Sequence, residues 1–268
     1  MSLSPEILLM FCGVGLVAGA IDAIAGGGGL ITVPALLLGG LDPAAAIATN
    51  KLQGSFGTAM STARFAKAGM IDFRSKESWA LSTAAFAGAI VGAALVAVAP
   101  VEAMRTALPF LLIAVALYFA FGPRMSDVDS AARMGPIAFA AAVAFPIGVY
   151  DGLFGPGAGS FYMVGLVALA GVGAVKAVAR TKLMNFASNL AGLIFFIAAG
   201  AVVWSAGLAM ALGTVIGARI GSALALKHGV GLVRPLLIVV SIALSLRLML
   251  DSGHPVGHAL RMMAGLTP

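Results

Sequence analysis

Four ionisable residues lie where a polar side chain is costly. Asp22 and Asp151 end apolar runs, each just ahead of a glycine cluster, and Lys51 and Lys182 stand inside long apolar segments. In hydrocarbon such a group costs on the order of 2.5–3.5 kcal/mol by insertion scales, so it persists where it lines a polar cavity or meets an opposite charge. The carboxylates therefore have two readings. They cap N–H groups of the glycine breaks or pair with a cation, or they couple protons or ions. The clusters are Gly26, Gly27, Gly28 and Gly29, and then Gly155, Gly157 and Gly159 around Pro156 and Ala158, with Ser160 opening the segment that resumes. Glycine runs interrupt helical hydrogen bonding, and a bilayer tolerates bare backbone only where it lines a cavity or is buried in protein. A helix restarting there offers free N–H groups and the positive end of its dipole, which favours an anion. Close helix packing without a ligand is the alternative.

Polar residues accompany the lysines. Segment 44–66 carries Thr49, Asn50, Lys51, Gln53, Ser55, Thr58, Ser61, Thr62 and Arg64, and segment 176–199 carries Arg180, Thr181, Lys182, Asn185, Ser188 and Asn189. Residues three and four apart share a helix face. Lys51, Ser55, Thr58 and Thr62 thus form one stripe, and Lys182, Asn185 and Asn189 another. Paired cations with helix N-termini read as an anion site built from Asn50, Lys51, Lys182, Asn185 and Asn189. Snorkelling of the amines to an interface and simple Lys–Asp neutralisation are the alternatives.

Other chemistries find little support. Cys12 is the single cysteine, and His254 and His258 sit in a Gly/Pro-containing tail without a third ligand, so no metal is expected. No Lys-Ser or Lys-Thr follows the glycines and no βαβ pattern surrounds them, which argues against a nucleotide cofactor. Sixteen Lys and Arg are scattered without a basic run, which argues against nucleic acid. No histidine, paired carboxylate or Ser–His arrangement falls within the apolar segments, so an enzyme is not expected.

These residues must be positioned by membrane helices. The 268-residue chain is 61% hydrophobic and 10% charged, with a mean hydropathy of +1.07. Soluble domains carry roughly 25% charged residues. Apolar segments fall near 7–24, 26–41, 44–66, 78–99, 103–121, 136–153, 158–173, 176–199, 206–226 and 231–250, and the longer ones clear the ~20 residues that span hydrocarbon. The short pairs 7–24/26–41 and 136–153/158–173 read as tight hairpins or re-entrant pairs. No charged region precedes the first apolar run, so no cleavable signal is expected. Gly213, Gly217 and Gly221, like Gly88 and Gly92, have the small-xxx-small spacing of helix packing.

A hydrophilic connector at 122–135 separates two similar halves. Gly19-Ala20-Ile21-Asp22 returns as Gly148-Val149-Tyr150-Asp151, Lys51-Leu52 as Lys182-Leu183, Phe65 as Phe196, Gly69 as Gly200, and Arg105 as Arg234. If each half crosses the membrane an odd number of times, the second is inverted. Lys67, Arg74, Lys76, Arg124, Arg133, Lys176, Lys227 and Arg234 then fall inside, leaving Arg105 and Arg261 outside, in keeping with the positive-inside rule. The expected fold is an all-α integral membrane protein of inverted repeats. Each repeat has about five helical segments, with glycine-broken or re-entrant helices. The expected parts are a first repeat at 1–121, a cytoplasmic linker at 122–135, a second repeat at 136–250 and a tail at 251–268.

GAIDAIAGGGGLITVPALL at 19–37 and ATNKL at 48–52 resemble the first-half signature of the TauE/SafE sulfite exporter family. GVYDGLFGPGAGSF at 148–161 and TKLMNFASN at 181–189 resemble the second-half signature of one of its branches. The resemblance covers residues 7–250. It implies a multi-pass protein of the bacterial inner membrane that moves sulfite, organosulfonates or related sulfur anions. The function expected is therefore a permease for small sulfur-containing anions. Its partners would be the anion, the lipid bilayer, a coupling proton or ion, and a second copy of the chain. An intramembrane enzyme acting on lipid-linked phosphate and an anion channel are the alternatives.

Overall fold

The computed structural model describes residues 4–121 and 127–228, with single positions at 242, 246, 249 and 250. Arg124, most of segment 231–250 with Arg234, and the tail 251–268 with His254, His258 and Arg261 lie outside the described residues. Nine helices occur among the described residues: α1 Pro5–Ala25, α2 Gly29–Leu38, α3 Pro43–Lys67, α4 Lys76–Val98, α5 Val101–Phe121, α6 Pro136–Leu153, α7 Ala158–Ala168, α8 Ala174–Ala198 and α9 Trp204–His228. None of the described residues forms a strand. The fold is all-α, and α1, α4, α6, α8 and α9 are long and apolar enough to cross a membrane.

Local chemistry sets the boundaries. Pro5 and Pro43 occupy first-turn positions, where a missing N–H costs nothing. The Asp42 carboxylate accepts the Ala45 N–H at 3.0 Å, and Arg64 and Lys67 sit in the last turn of α3, facing the negative end of its dipole. In α6 the stretch Ala140–Ala144 widens into a π-turn just before Pro146. Proline has no N–H to donate one turn back, and the wider turn accommodates the lost bond. Helix α1 stops because Gly26 turns left-handed at φ 78°, its N–H bonding the Asp22 carbonyl at 2.8 Å. Gly155 and Gly157, at φ 90° and 83°, do the same between α6 and α7.

The helices after these breaks are half-length. At about 1.5 Å per residue, the 10 residues of α2 and the 11 of α7 reach about half of a ~30 Å hydrocarbon layer. Neither crosses it alone.

Two helix pairs frame the molecule, and both are held at main-chain distance by glycine. On α1, Gly15 and Gly19 lie against the carbonyls of Met210 and Thr214, while Gly213, Gly217 and Gly221 of α9 lie against those of Cys12, Leu16 and Ala20. Between α4 and α6 the same exchange joins Gly88 and Gly92 to Phe145 and Val149, and Gly148 and Gly152 to Ala85 and Ala89. Small residues bring membrane helices close enough for main-chain packing. Helices α3 and α8 pack on each other between these pairs. Their polar stripes are buried, while Leu9, Val98, Leu212 and Ile216 face outward.

The described part of the connector is docked. Ser130 N–H and Arg133 N–H donate to the carbonyls of Gly171 and Leu169, each at 2.8 Å. Asp129 accepts the Gly173 N–H at 2.8 Å and pairs with Lys176, both on the edge of α8. The Lys176 ammonium and that N–H hold the Asp129 carboxyl below the usual carboxylate range.

Two outcomes follow. Gly217→Ala pushes a methyl onto the Leu16 carbonyl and should lower the thermal midpoint by the equivalent of about 1–3 kcal/mol. Gly13→Ala, with nothing within 4 Å of the added carbon, should leave the midpoint unchanged or raise it; a fluorescence melt in detergent compares them. Because the folded Asp129 carboxyl titrates low, its contribution is present above the ordinary aspartate value of about 3.9 and is lost as the pH falls through its depressed value. The protection factor of the Gly173 amide, its exchange rate relative to an unstructured chain at the same pH, should therefore be high at neutral pH and fall only below about pH 4. In Asp129→Asn it should be low at both.

Candidate functional site

The two glycine breaks meet. A Cβ on Gly26 would strike the Gly159 and Ser160 backbone, one on Gly159 would strike Gly26, and one on Gly29 would strike Pro156. The contact is backbone on backbone, which is why both runs exclude side chains here. It is fastened by Ser160 Oγ, which donates to the Ala25 carbonyl. Tyr150 OH donates to the Pro156 carbonyl at 2.6 Å and steadies the second break.

Asp22, Lys51, Asp151 and Lys182 converge on this junction and pair crosswise. Lys51 Nζ on α3 donates to Asp151 Oδ1 on α6 at 2.7 Å, both side chains sealed from solvent. The other Asp151 oxygen accepts Ser188 Oγ of α8. Lys182 Nζ on α8 reaches back to α1, donating to Asp22 Oδ2 at 3.0 Å and to the Asp22 carbonyl. Asp22 Oδ1 accepts the Gly28 N–H at 3.2 Å. Each aspartate is thus the partner of the lysine that follows the other break, and Asp22 also caps the break itself. The stem of Lys51 lies along Gly192, where a Cβ would touch its methylene carbons. That glycine makes room for the buried lysine.

A small polar cavity of about 40 Å³ lies at the junction. Its walls include Asp22, Gly26, Gly28 and Gly29 from the first break, Asp151, Gly155 and Gly159 from the second, and Asn50, Asn185 and Asn189 from α3 and α8. Neither lysine lines it. Both ammonium groups are paired with aspartates, the neutralisation that the sequence left open, and the two carboxylates are among the walls. The physical reason is that a buried cation without a partner is costlier than a pair. Gly27, Gly157 and Ser160 shape the breaks without facing the cavity.

The wall also holds residues not expected at the site from the sequence, Ala18, Gly19, Gly54 and Gly57 and the polar Gln53, Thr58 and Thr214. Gln53 Nε2 donates to Asn50 Oδ1 at 2.7 Å, Thr32 Oγ1 donates to the same oxygen at 2.6 Å, and Thr214 Oγ1 donates to Gln53 Oε1 at 2.8 Å. The cavity face of α3 is Asn50, Gln53, Gly54, Gly57 and Thr58, spaced by three and four. It shares Thr58 with the Lys51–Ser55–Thr58–Thr62 stripe and is otherwise displaced from it around the helix. Asn185 Oδ1 is buried in the wall without a hydrogen-bond partner. Among the described residues no cluster of His, Cys, Asp or Glu has the makeup of a metal site.

The family model described as "Sulfite exporter TauE/SafE" matches residues 11–248. A protein of a Sinorhizobium species named "Probable membrane transporter protein ORF9" is 48% identical over 240 residues, covering 90% of this chain and 91% of that one. The Escherichia coli K12 "Probable membrane transporter protein YfcA" is 41% identical, covering 97% and 96%. A Bacillus subtilis relative, "Probable membrane transporter protein YunE", is 25% identical over 79% of this chain. No solved structure matches. With a family model spanning both glycine breaks and both lysine helices, and apolar helices enough for several crossings, this multi-pass bacterial membrane protein belongs to the TauE/SafE sulfite exporter family.

Proposed function

We propose that the chain is a secondary transporter for small sulfur-containing anions, sulfite foremost, which bind in the cavity between the two glycine breaks. The observation that carries this reading is the crosswise Lys51–Asp151 and Lys182–Asp22 pairing around that cavity. Four charges buried in an apolar protein are expensive, and membrane proteins retain them on substrate and ion pathways. Broken helices at corresponding places of two halves, with sites at their junction, are the architecture of secondary transporters.

We further infer that residues 1–121 and 136–250 are two inverted copies. The reciprocity of the contacts supports this. The lysine helix of each half meets the aspartate of the other, and α1 with α9 repeats the glycine-mediated packing of α6 with α4. Alternating access then comes from rocking of one half against the other about the breaks.

The walls suit an oxyanion in part through amides and hydroxyls: Asn50, Gln53, Asn185, Asn189 and Thr214. The cavity volume favours the smallest substrates. At 40 Å³ it holds on the order of three waters, which a four-atom anion such as sulfite replaces and an aryl sulfonate overfills. No nucleotide is needed, since the drive is a gradient.

Purified protein in liposomes should take up sulfite saturably and show counterflow. Asn185→Leu removes an amide from the wall and should weaken apparent affinity about tenfold to a hundredfold, the effect of losing one hydrogen bond to a charged group. Absence of saturable flux for sulfite and for a short alkyl sulfonate would defeat the substrate reading; linear, non-exchanging flux would make the protein a channel.

A further inference from the structure

We propose that Asp22 is the proton-coupling group of the central site, and that each anion crosses with one proton taken up by that carboxylate. The inference rests on the anion-transport reading above and adds its coupling. It starts from charge balance. The ionisable groups at the junction are Asp22 on α1, Lys51 on α3, Asp151 on α6 and Lys182 on α8. Helix α2 contributes no titratable side chain. Tyr162 on α7 and Tyr150 on α6 hydrogen-bond main-chain carbonyls of Ala144 and Pro156. On α9, Thr214 faces the cavity and Arg219 faces outward. Arg64 lies more than two turns further along α3 than Gln53. The four central charges therefore cancel. An anion entering this neutral, water-poor site leaves one buried negative charge uncompensated, and one proton restores the balance.

The geometry distinguishes the two carboxylates. Asp151 is closed in: its side chain is 4% exposed, and its oxygens are taken by Lys51 and Ser188. Asp22 is 21% exposed, borders the cavity, and accepts from groups that an anion could use in its place. Lys182 holds its position through the Asp22 main-chain carbonyl as well as through the carboxylate. When a proton from the aqueous side adds to the Asp22 carboxylate, one O–H bond forms and no other covalent bond changes. The Gly28 N–H and the Lys182 ammonium then lose their charged acceptor and turn to the incoming anion. In the resting site the Asp22 carboxylate is the stand-in for that anion. The same wall holds Asn185, whose Oδ1 is buried without a hydrogen-bond partner.

The test uses purified full-length protein in liposomes, with the membrane potential clamped by potassium and valinomycin. The probes are sulfite and methanesulfonate, the latter ionised throughout so that any coupled proton is carried by the protein. Wild type should accumulate methanesulfonate about tenfold per pH unit of inward proton gradient, the ratio that one proton per monovalent anion provides, and should accumulate sulfite at least as far. Asp22→Asn should lose that accumulation, and any counterflow it retains should not respond to pH. In parallel, infrared difference spectra of the wild type on acidification should show a carboxylic C=O band that grows when the anion is added. That band should be absent in Asp22→Asn and displaced in Asp22→Glu. Accumulation driven by the pH gradient in Asp22→Asn, or an acid band unchanged by all three conditions, overturns the proposal. If neither probe crosses while the Asp22 band titrates as described, the substrate reading fails and the coupling residue stands. Asp22→Glu keeps the carboxylate, so the band assignment survives even if Asp22→Asn does not fold.

Discussion

The four charges at the centre of the described residues are paired two by two, and much of the fold follows from how that is achieved. An ammonium deep in an apolar protein is tolerated when a carboxylate meets it with the remaining hydrogen bonds satisfied. Here the carboxylate always comes from the far half of the chain: Asp151 for Lys51, Asp22 for Lys182. Two consequences follow. The halves are tied at their centre by ionic contacts as well as by apolar packing. And the helices that carry the aspartates must end beside the helices that carry the lysines, which fixes where α1 and α6 stop.

Glycine makes those endings possible. Gly26, Gly155 and Gly157 adopt left-handed backbone that other residues resist, and the contact of Gly26 with Gly159 leaves no volume for a side chain. The same residue type does a different job on the helix faces. There Gly213, Gly217, Gly88 and Gly92 bring α9 to α1 and α4 to α6 at main-chain distance, without special dihedral angles. Turn glycines and packing glycines share a composition signal and differ in physics, one set by backbone angle and the other by interhelical distance. Both serve the junction, since the packed pairs hold the breaks against each other.

Much of this was legible in the residues. Among the described residues, the long apolar helices, the breaks and the four central charges could be placed from spacing alone, because hydrophobic length and glycine runs are local signals. Which partner each lysine would take was not legible, since Lys–Asp neutralisation and an open anion site have the same sequence. That choice is settled by the distance between α3 and α6, which no local pattern encodes. Most of the cavity face of α3 was missed for a related reason. Asn50 was among the expected site residues, but the conspicuous stripe begins at Lys51, and attention to the charge hides Gln53, Gly54 and Gly57 one step around the helix. Thr214 was hidden inside a packing motif: between Gly213 and Gly217 it reads as part of a small-residue face, yet its hydroxyl reaches Gln53 across the cavity. The half-length of α2 follows from Gly26 turning left-handed and Gly39 ending the helix, so a continuous apolar run from 26 to 41 overstates it.

The two ion pairs are matched in residue type and in position relative to the breaks, but not in environment. One is sealed and satisfied by a third group, Ser188; the other borders the cavity and leans on a main-chain N–H and carbonyl. For an alternating mechanism this inequality is informative. A site built from like parts, with one arm shut and the other ajar, has the asymmetry a carrier needs in any single conformation. Interchanging the roles of the two pairs would generate the opposite state without new residues.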